Sequence, residues 1–225
     1  MQADEVPPPS SPLRRAAVSV LAALGAALLR LLGATWRVDR RELACLDALA
    51  ATGEPVVVAF WHEKYLPLFV LTEGRRGLVL TSLSFRGEVI AGICRRFDHR
   101  AQFSAPGAGE ATLDRLTERL STEPGLVGLA VDGPLGPRRQ AKDGAPRLAA
   151  RLGAALLPIG FEARPCLRLG RRWDQMELPL PFARIVLRTG EPLPPPAAGD
   201  DDALAQCQQA LGAALNALDR PAGGP

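Results

Sequence analysis

The apolar and polar positions divide this chain into a proline-rich start, one long apolar block, and short uncharged runs alternating with amphipathic stretches. Runs rich in Val, Leu and Ile at 55–61, 77–82, 126–131, 155–161 and 185–189, uncharged but for Arg188 in the last, predict strands, with a weaker one at 101–104. Helical patterns fall between and around them at 42–51, 88–97, 110–120, 144–152 and 200–218, the last opening on three aspartates that suit a helix N-terminus. Pro158 inside one run predicts an edge strand or an irregularity. Strands alternating with helices predict a single α/β domain with a mostly parallel central sheet flanked by helices. Ligands of such folds gather at the carboxyl ends of the strands.

The apolar block precedes this domain. Residues 16–29 carry no charge, Arg30 interrupts, and 31–36 resume the run up to Arg37, Arg40 and Arg41, with Arg14 and Arg15 on the other flank. A cleaved signal peptide, a membrane span, an ordinary buried helix and an interfacial helix anchored by Trp36 all fit such a segment. A span needs ~20 apolar residues, which favours the interfacial helix. The organisation expected is a disordered tail over 1–12, a membrane-associated helix over 13–36, the α/β domain over 37–195, and a C-terminal helix and tail over 196–225.

Composition sharpens this picture. Only Lys64 and Lys142 are lysines; the other basic residues are arginines, yet the net charge is only +3, too small and dispersed an excess for a nucleic-acid binder. Aromatics make up 5% of the chain, so the core must be built mostly from Ala, Leu and Val. Cys45, Cys94, Cys166 and Cys207 lack metal or redox spacing and read as free thiols of a cytosol-facing protein, with no metal site expected.

Candidate chemistry sits at the strand ends. His62 follows the first strand, where an imidazole is suited to proton transfer at neutral pH and equally to a structural hydrogen bond. His99 lies in a charged run that reads as solvated surface. Ser82, Ser84, Arg86 and Glu88 follow the second strand and could wall a polar pocket or simply cap a helix. Ser104 opens a glycine loop suited to an anion. Asp132, Gly133, Gly136, Arg138 and Arg139 form a proline-stiffened turn whose arginines could grip phosphate oxygens or lie solvated. Neither a Gly-x-Ser-x-Gly elbow nor a dinucleotide fingerprint is present, which disfavours a cytosolic α/β hydrolase or a sugar transferase.

One succession is distinctive: Phe60-Trp61-His62, Leu66-Pro67-Leu68, Asp132-Gly133-Pro134-x-Gly136-Pro137-Arg138, Trp173-Asp174, Leu178-Pro179-Leu180-Pro181-Phe182 and Gly190-Glu191-Pro192. It resembles a bacterial family of unknown function within the lysophospholipid acyltransferase superfamily, over about residues 30–195. The resemblance implies transfer of a fatty acyl group from an acyl-CoA or acyl-carrier-protein thioester to a hydroxyl of a lysophospholipid-like acceptor. His62 would be the general base, and the 132–139 turn would handle phosphate. It implies no bound cofactor, membrane lipids as partners, and a place on the cytoplasmic face of the bacterial inner membrane. The superfamily's His-x-x-x-x-Asp is not kept, since Pro67 stands fifth after His62; Glu88 and Asp132 are the acids considered as replacements. Arg86 replaces an aspartate of the family pattern, Leu135 replaces an arginine, and the 104–110 loop lacks its usual arginine. These changes keep a second expectation open, a catalytically degenerate lipid- or phosphoester-binding protein at the membrane surface.

Overall fold

The computed structural model describes residues 11–105, 108–133 and 135–219; most of the proline-rich tail and part of the glycine loop lie outside them. Seven helices, α1 (Pro12–Thr35), α2 (Leu43–Ala51), α3 (Tyr65–Leu71), α4 (Phe85–Arg96), α5 (Gly109–Thr122), α6 (Gly144–Leu152) and α7 (Asp201–Ala217), surround one sheet. Its strands are β1 (Arg37–Asp39), β2 (Val56–Phe60), β3 (Leu78–Ser82), β4 (Arg100–Ser104), β5 (Leu126–Ala130), β6 (Ala155–Arg168) and β7 (Glu177–Thr189), in spatial order β1-β7-β6-β2-β5-β3-β4. β6, β2, β5, β3 and β4 run parallel, and β7 returns antiparallel to β6. This is the α/β domain with a mostly parallel sheet that the apolar pattern predicts.

β2, buried at every position, lies between β5 and β6, which is why its sequence is β-branched and uncharged on both faces. One face of the sheet is covered by α1 to α4 around Phe97, Phe161 and Leu71, the other by α5, α6 and α7 around Leu116, Leu148 and Leu156. Pro158 is not on an edge. It closes the β2–β6 ladder opposite Ala59, and antiparallel pairing with β7 begins at Ile159, so its missing N–H falls where β6 changes partners. The run at 185–189 is only the end of a much longer β7, and β1 and α3 carry no pattern strong enough to announce themselves.

α1 is a continuous 24-residue helix, long and apolar enough to cross a membrane by length and composition. Its small residues face the domain. A Cβ on Gly92 would stand 2.6 Å from the Ala22 methyl, and one on Gly25 2.9 Å from Ile93, so α1 and α4 touch almost backbone to backbone. Arg30 turns toward the domain, over the Phe97 ring and 3.1 Å from Glu73, leaving the outer apolar stripe unbroken. Trp36 is 8% exposed and packs in the core, so it is no interfacial anchor.

Candidate functional site

β2 delivers the chain to a single 3-10 turn, His62–Lys64. Trp61 is buried ahead of it, and the tight turn sends His62 toward the surface and Glu63 and Lys64 beneath it. The His62 backbone N–H donates to Asp132 Oδ1 (2.8 Å), and Asp132 Oδ2 accepts from the Arg139 backbone N–H (2.9 Å). Fully buried, Asp132 pins the end of β2 to the turn after β5. It contributes its charge to the imidazole without orienting the ring.

The carboxylate that faces the ring is Asp174, whose Oδ2 is 3.7 Å from His62 Nε2. Asp174 is wholly buried and held by the Arg172 guanidinium, Nε at 2.8 Å and Nη2 at 2.7 Å, with a longer bond from the Met176 N–H. Burial works against its ionisation, but Arg172, with help from His62 and the Met176 N–H, keeps the carboxyl below its ordinary range. The His62 ring lies between Tyr65 and Trp173, each with its ring centroid 5.1 Å away. Gly136, at φ +72°, makes room for Trp173; a Cβ there would be 2.9 Å from the indole. Burial is the main force lowering the His62 pKa; Asp174 and Asp132 oppose it, while Arg172 and Arg86 reinforce it. The imidazole is therefore neutral at pH 7. Its Nδ1 is buried without a hydrogen-bond partner among the described residues, against Gly133, where an added Cβ would stand 3.2 Å away.

The other expected residues separate. Glu88 pairs with Arg14 of α1 at 2.7 Å and is not the acid that orients His62. Ser84 accepts from the Gly87 N–H as the cap of α4, and its Oγ is 2.8 Å from that of Ser82. Ser104 shares a hydrogen bond with Thr112 (2.7 Å). Among the described residues no contact joins these serines to the ring. Arg86 is exposed at the start of α4, has no ion pair among the described residues, and places positive charge near both His62 and Tyr65.

Arg138 and Arg139 are not free for phosphate in this arrangement. Both pair with the fully buried Glu63, and Arg139 also reaches Asp219 at 2.5 Å. Lys64 completes this cluster, with Glu177 at 2.6 Å, Asp219 at 3.1 Å and the Phe161 carbonyl at 3.1 Å. A polar cleft of about 430 Å³ opens beside it. Cys166 lines that cleft, and burial pushes its thiol up to about 11, away from nucleophilic use.

His99 is not on a solvated surface. It is 5% exposed at the edge of an apolar cavity of about 50 Å³, its Nε2 3.3 Å from the Phe69 carbonyl oxygen. Sequence reasoning missed Tyr65, Arg172 and the role of Asp174. The one available signal was the Trp173-Asp174 pair within the motif string, because nothing in its spacing from His62 announces proximity.

No family model matches the chain. An uncharacterized protein of Rickettsia prowazekii is 26% identical over 140 residues, 61% of this chain and 63% of that protein, so the chain spans just under two thirds of that relative. Among solved structures, the 1-acyl-sn-glycerophosphate (LPA) acyltransferase PlsC of Thermotoga maritima matches with a TM-score of 0.53 at 15% identity, covering 91% of this chain and 81% of that one. What the chain shares with that acyltransferase is its α/β fold.

Proposed function

We propose that this protein moves an acyl group from a thioester donor to a hydroxyl of a lysophospholipid-like acceptor at a membrane surface, with His62 as the general base. The observation that carries this reading is a neutral, mostly enclosed imidazole facing a buried ionised carboxylate at the carboxyl end of the central strand, on a fold shared with a glycerolipid acyltransferase.

In this reading His62 takes the proton as the acceptor oxygen attacks the thioester carbonyl. The new ester C–O bond forms, the C–S bond breaks, and the proton passes from His62 to the leaving thiolate. Asp174 acts as a positioning residue that favours the imidazolium formed in between. Arg86, an exposed cation whose charge reaches His62 and which has no ion pair among the described residues, is a candidate to receive an anionic group of either substrate. Arg138 and Arg139 serve instead to hold the turn behind His62 through Glu63. Acyl-CoA and acyl-carrier-protein thioesters are both candidate donors.

The test is transfer from labelled acyl-CoA and acyl-carrier protein into a lipid extract by wild type and His62→Ala. Label in lipid with wild type alone supports the reading. Equal incorporation by both proteins refutes His62 as base, and none with either donor favours a lipid-binding protein without turnover.

A further inference from the structure

With Trp36 buried, a different aromatic stands at that end of α1. Phe182 is 70% exposed and has a backbone φ of +64°, a conformation bulky side chains rarely adopt. The β6–β7 register puts it there. Arg164 pairs with Arg184 and Cys166 with Pro179, so Pro165 alone stands opposite Leu180 through Ala183, and Leu180, Pro181 and Phe182 protrude. Bulges of this kind re-aim side chains. The Phe182 N–H donates to Thr35 Oγ1 (3.0 Å), which fixes the bulge to the last turn of α1.

The outer face of α1 leads to the same point. Leu13, Val20, Leu24, Leu28 and Leu31 are all exposed along it, over about 27 Å at 1.5 Å per residue. Close by, Arg37 and Arg184 lie side by side in the β1–β7 ladder, both exposed and neither in an ion pair among the described residues. The nearby acid, Asp39 at the end of β1, feels the Arg184 charge but is held by Arg41 at 2.5 Å. Two like charges so placed repel until an anion sits between them.

We propose that α1 and the Leu180–Phe182 bulge form one docking surface for a bilayer containing anionic lipid. Phe182 enters below the headgroups, and Arg37 and Arg184 share a lipid phosphate. α1 lies in the plane of the interface; crossing would carry α4, packed along it with Arg86, Glu88, Arg95 and Arg96, into hydrocarbon. This surface goes beyond the acyl-transfer reading and does not depend on it.

Sedimentation of the full chain with phosphatidylcholine vesicles, with and without phosphatidylglycerol, tests the surface. Phe182→Asn keeps a residue that tolerates positive φ, and is expected to lower partitioning about tenfold on both vesicle types. The double variant Arg37→Gln/Arg184→Gln is expected to lose about tenfold on the anionic vesicles alone. Phe182→Trp should add emission quenched by lipids brominated along the acyl chain. The proposal is overturned if Phe182→Asn binds like wild type, if the arginine variant weakens both vesicle types equally, or if the new tryptophan is not quenched. A change in oligomeric state with unchanged vesicle binding also overturns it, in favour of a contact between copies. His62→Ala should bind vesicles like wild type whatever its activity, so failure here and failure of the acyl-transfer reading are seen separately.

Discussion

The turn after β2 places neighbouring residues in two kinds of polar surroundings. Glu63 and Lys64 enter a cluster in which every charge is answered: Glu63 by Arg138 and Arg139, Lys64 by Glu177, Asp219 and a carbonyl oxygen. One residue earlier, His62 has a ring nitrogen with no hydrogen-bond partner among the described residues, and a carboxylate just beyond hydrogen-bond distance of the other. A buried network whose charges are paired is costly to disturb and has little charge left for a ligand, whereas a neutral imidazole at a strand end can still take a proton. The difference separates residues that hold the site from one that can react in it, although all are polar, close in sequence and at the same strand end.

The sharpest way to break the comparison is at His62 itself. His62→Ala should lower kcat/KM for acyl transfer by about 10²- to 10⁴-fold, the usual worth of a general base, while leaving the thermal midpoint within a few degrees of wild type. Glu63→Gln should do the reverse. It leaves Arg138 and Arg139 without their buried acid, and removal of one partner from a buried ion pair costs about 3–5 kcal/mol. Chemical denaturation should report that loss, and the folded fraction should keep the pH profile of wild type. If Glu63→Gln were fully stable and inactive, the two regions would have exchanged roles.

Much of this organisation is legible in the chain. Uncharged β-branched runs mark the interior strands, because a parallel strand buried on both faces has no polar register to show, and His62 is visible as a polar residue at the end of such a run. What the sequence hides is pairing at long range. Asp174 reaches His62 only because the β6–β7 hairpin folds back over the site, and no local pattern encodes that closure. Arg138 and Arg139 look like phosphate ligands because their acid, Glu63, is supplied from 75 and 76 positions earlier in the chain. Trp36 is in the core, and Phe182 is set outside it by a bulge that periodicity cannot anticipate.

A smaller effect sharpens the reactive half of the comparison. Asp174→Asn keeps the shape and removes the charge facing the ring, and should lower kcat/KM by about ten- to a hundredfold, on the scale of losing a group that orients a catalytic partner. Its particular signature is in the pH profile. Asp174 raises the His62 pKa against the dominant effect of burial, so removing its charge should move the acid limb of kcat/KM to lower pH. A purely structural Asp174 would lower activity without moving the limb.

Arg86→Gln is the mildest change and carries the opposite sign. Its positive charge lowers the His62 pKa, so its loss favours the imidazolium, and the acid limb should move to higher pH. Because Arg86 is exposed, the shift should be smaller than that of Asp174→Asn and should shrink as salt is raised, since exposed charges are screened over about 8 Å at physiological ionic strength. If Arg86 also receives the anionic group of a substrate, KM for that substrate should rise several-fold with kcat little changed, the pattern of a lost binding contact. Opposite displacements of the acid limb by the two substitutions would tie both residues to the same titrating ring. Displacement in the same direction would mean that the limb belongs to another group, and His62 would lose its place as the base.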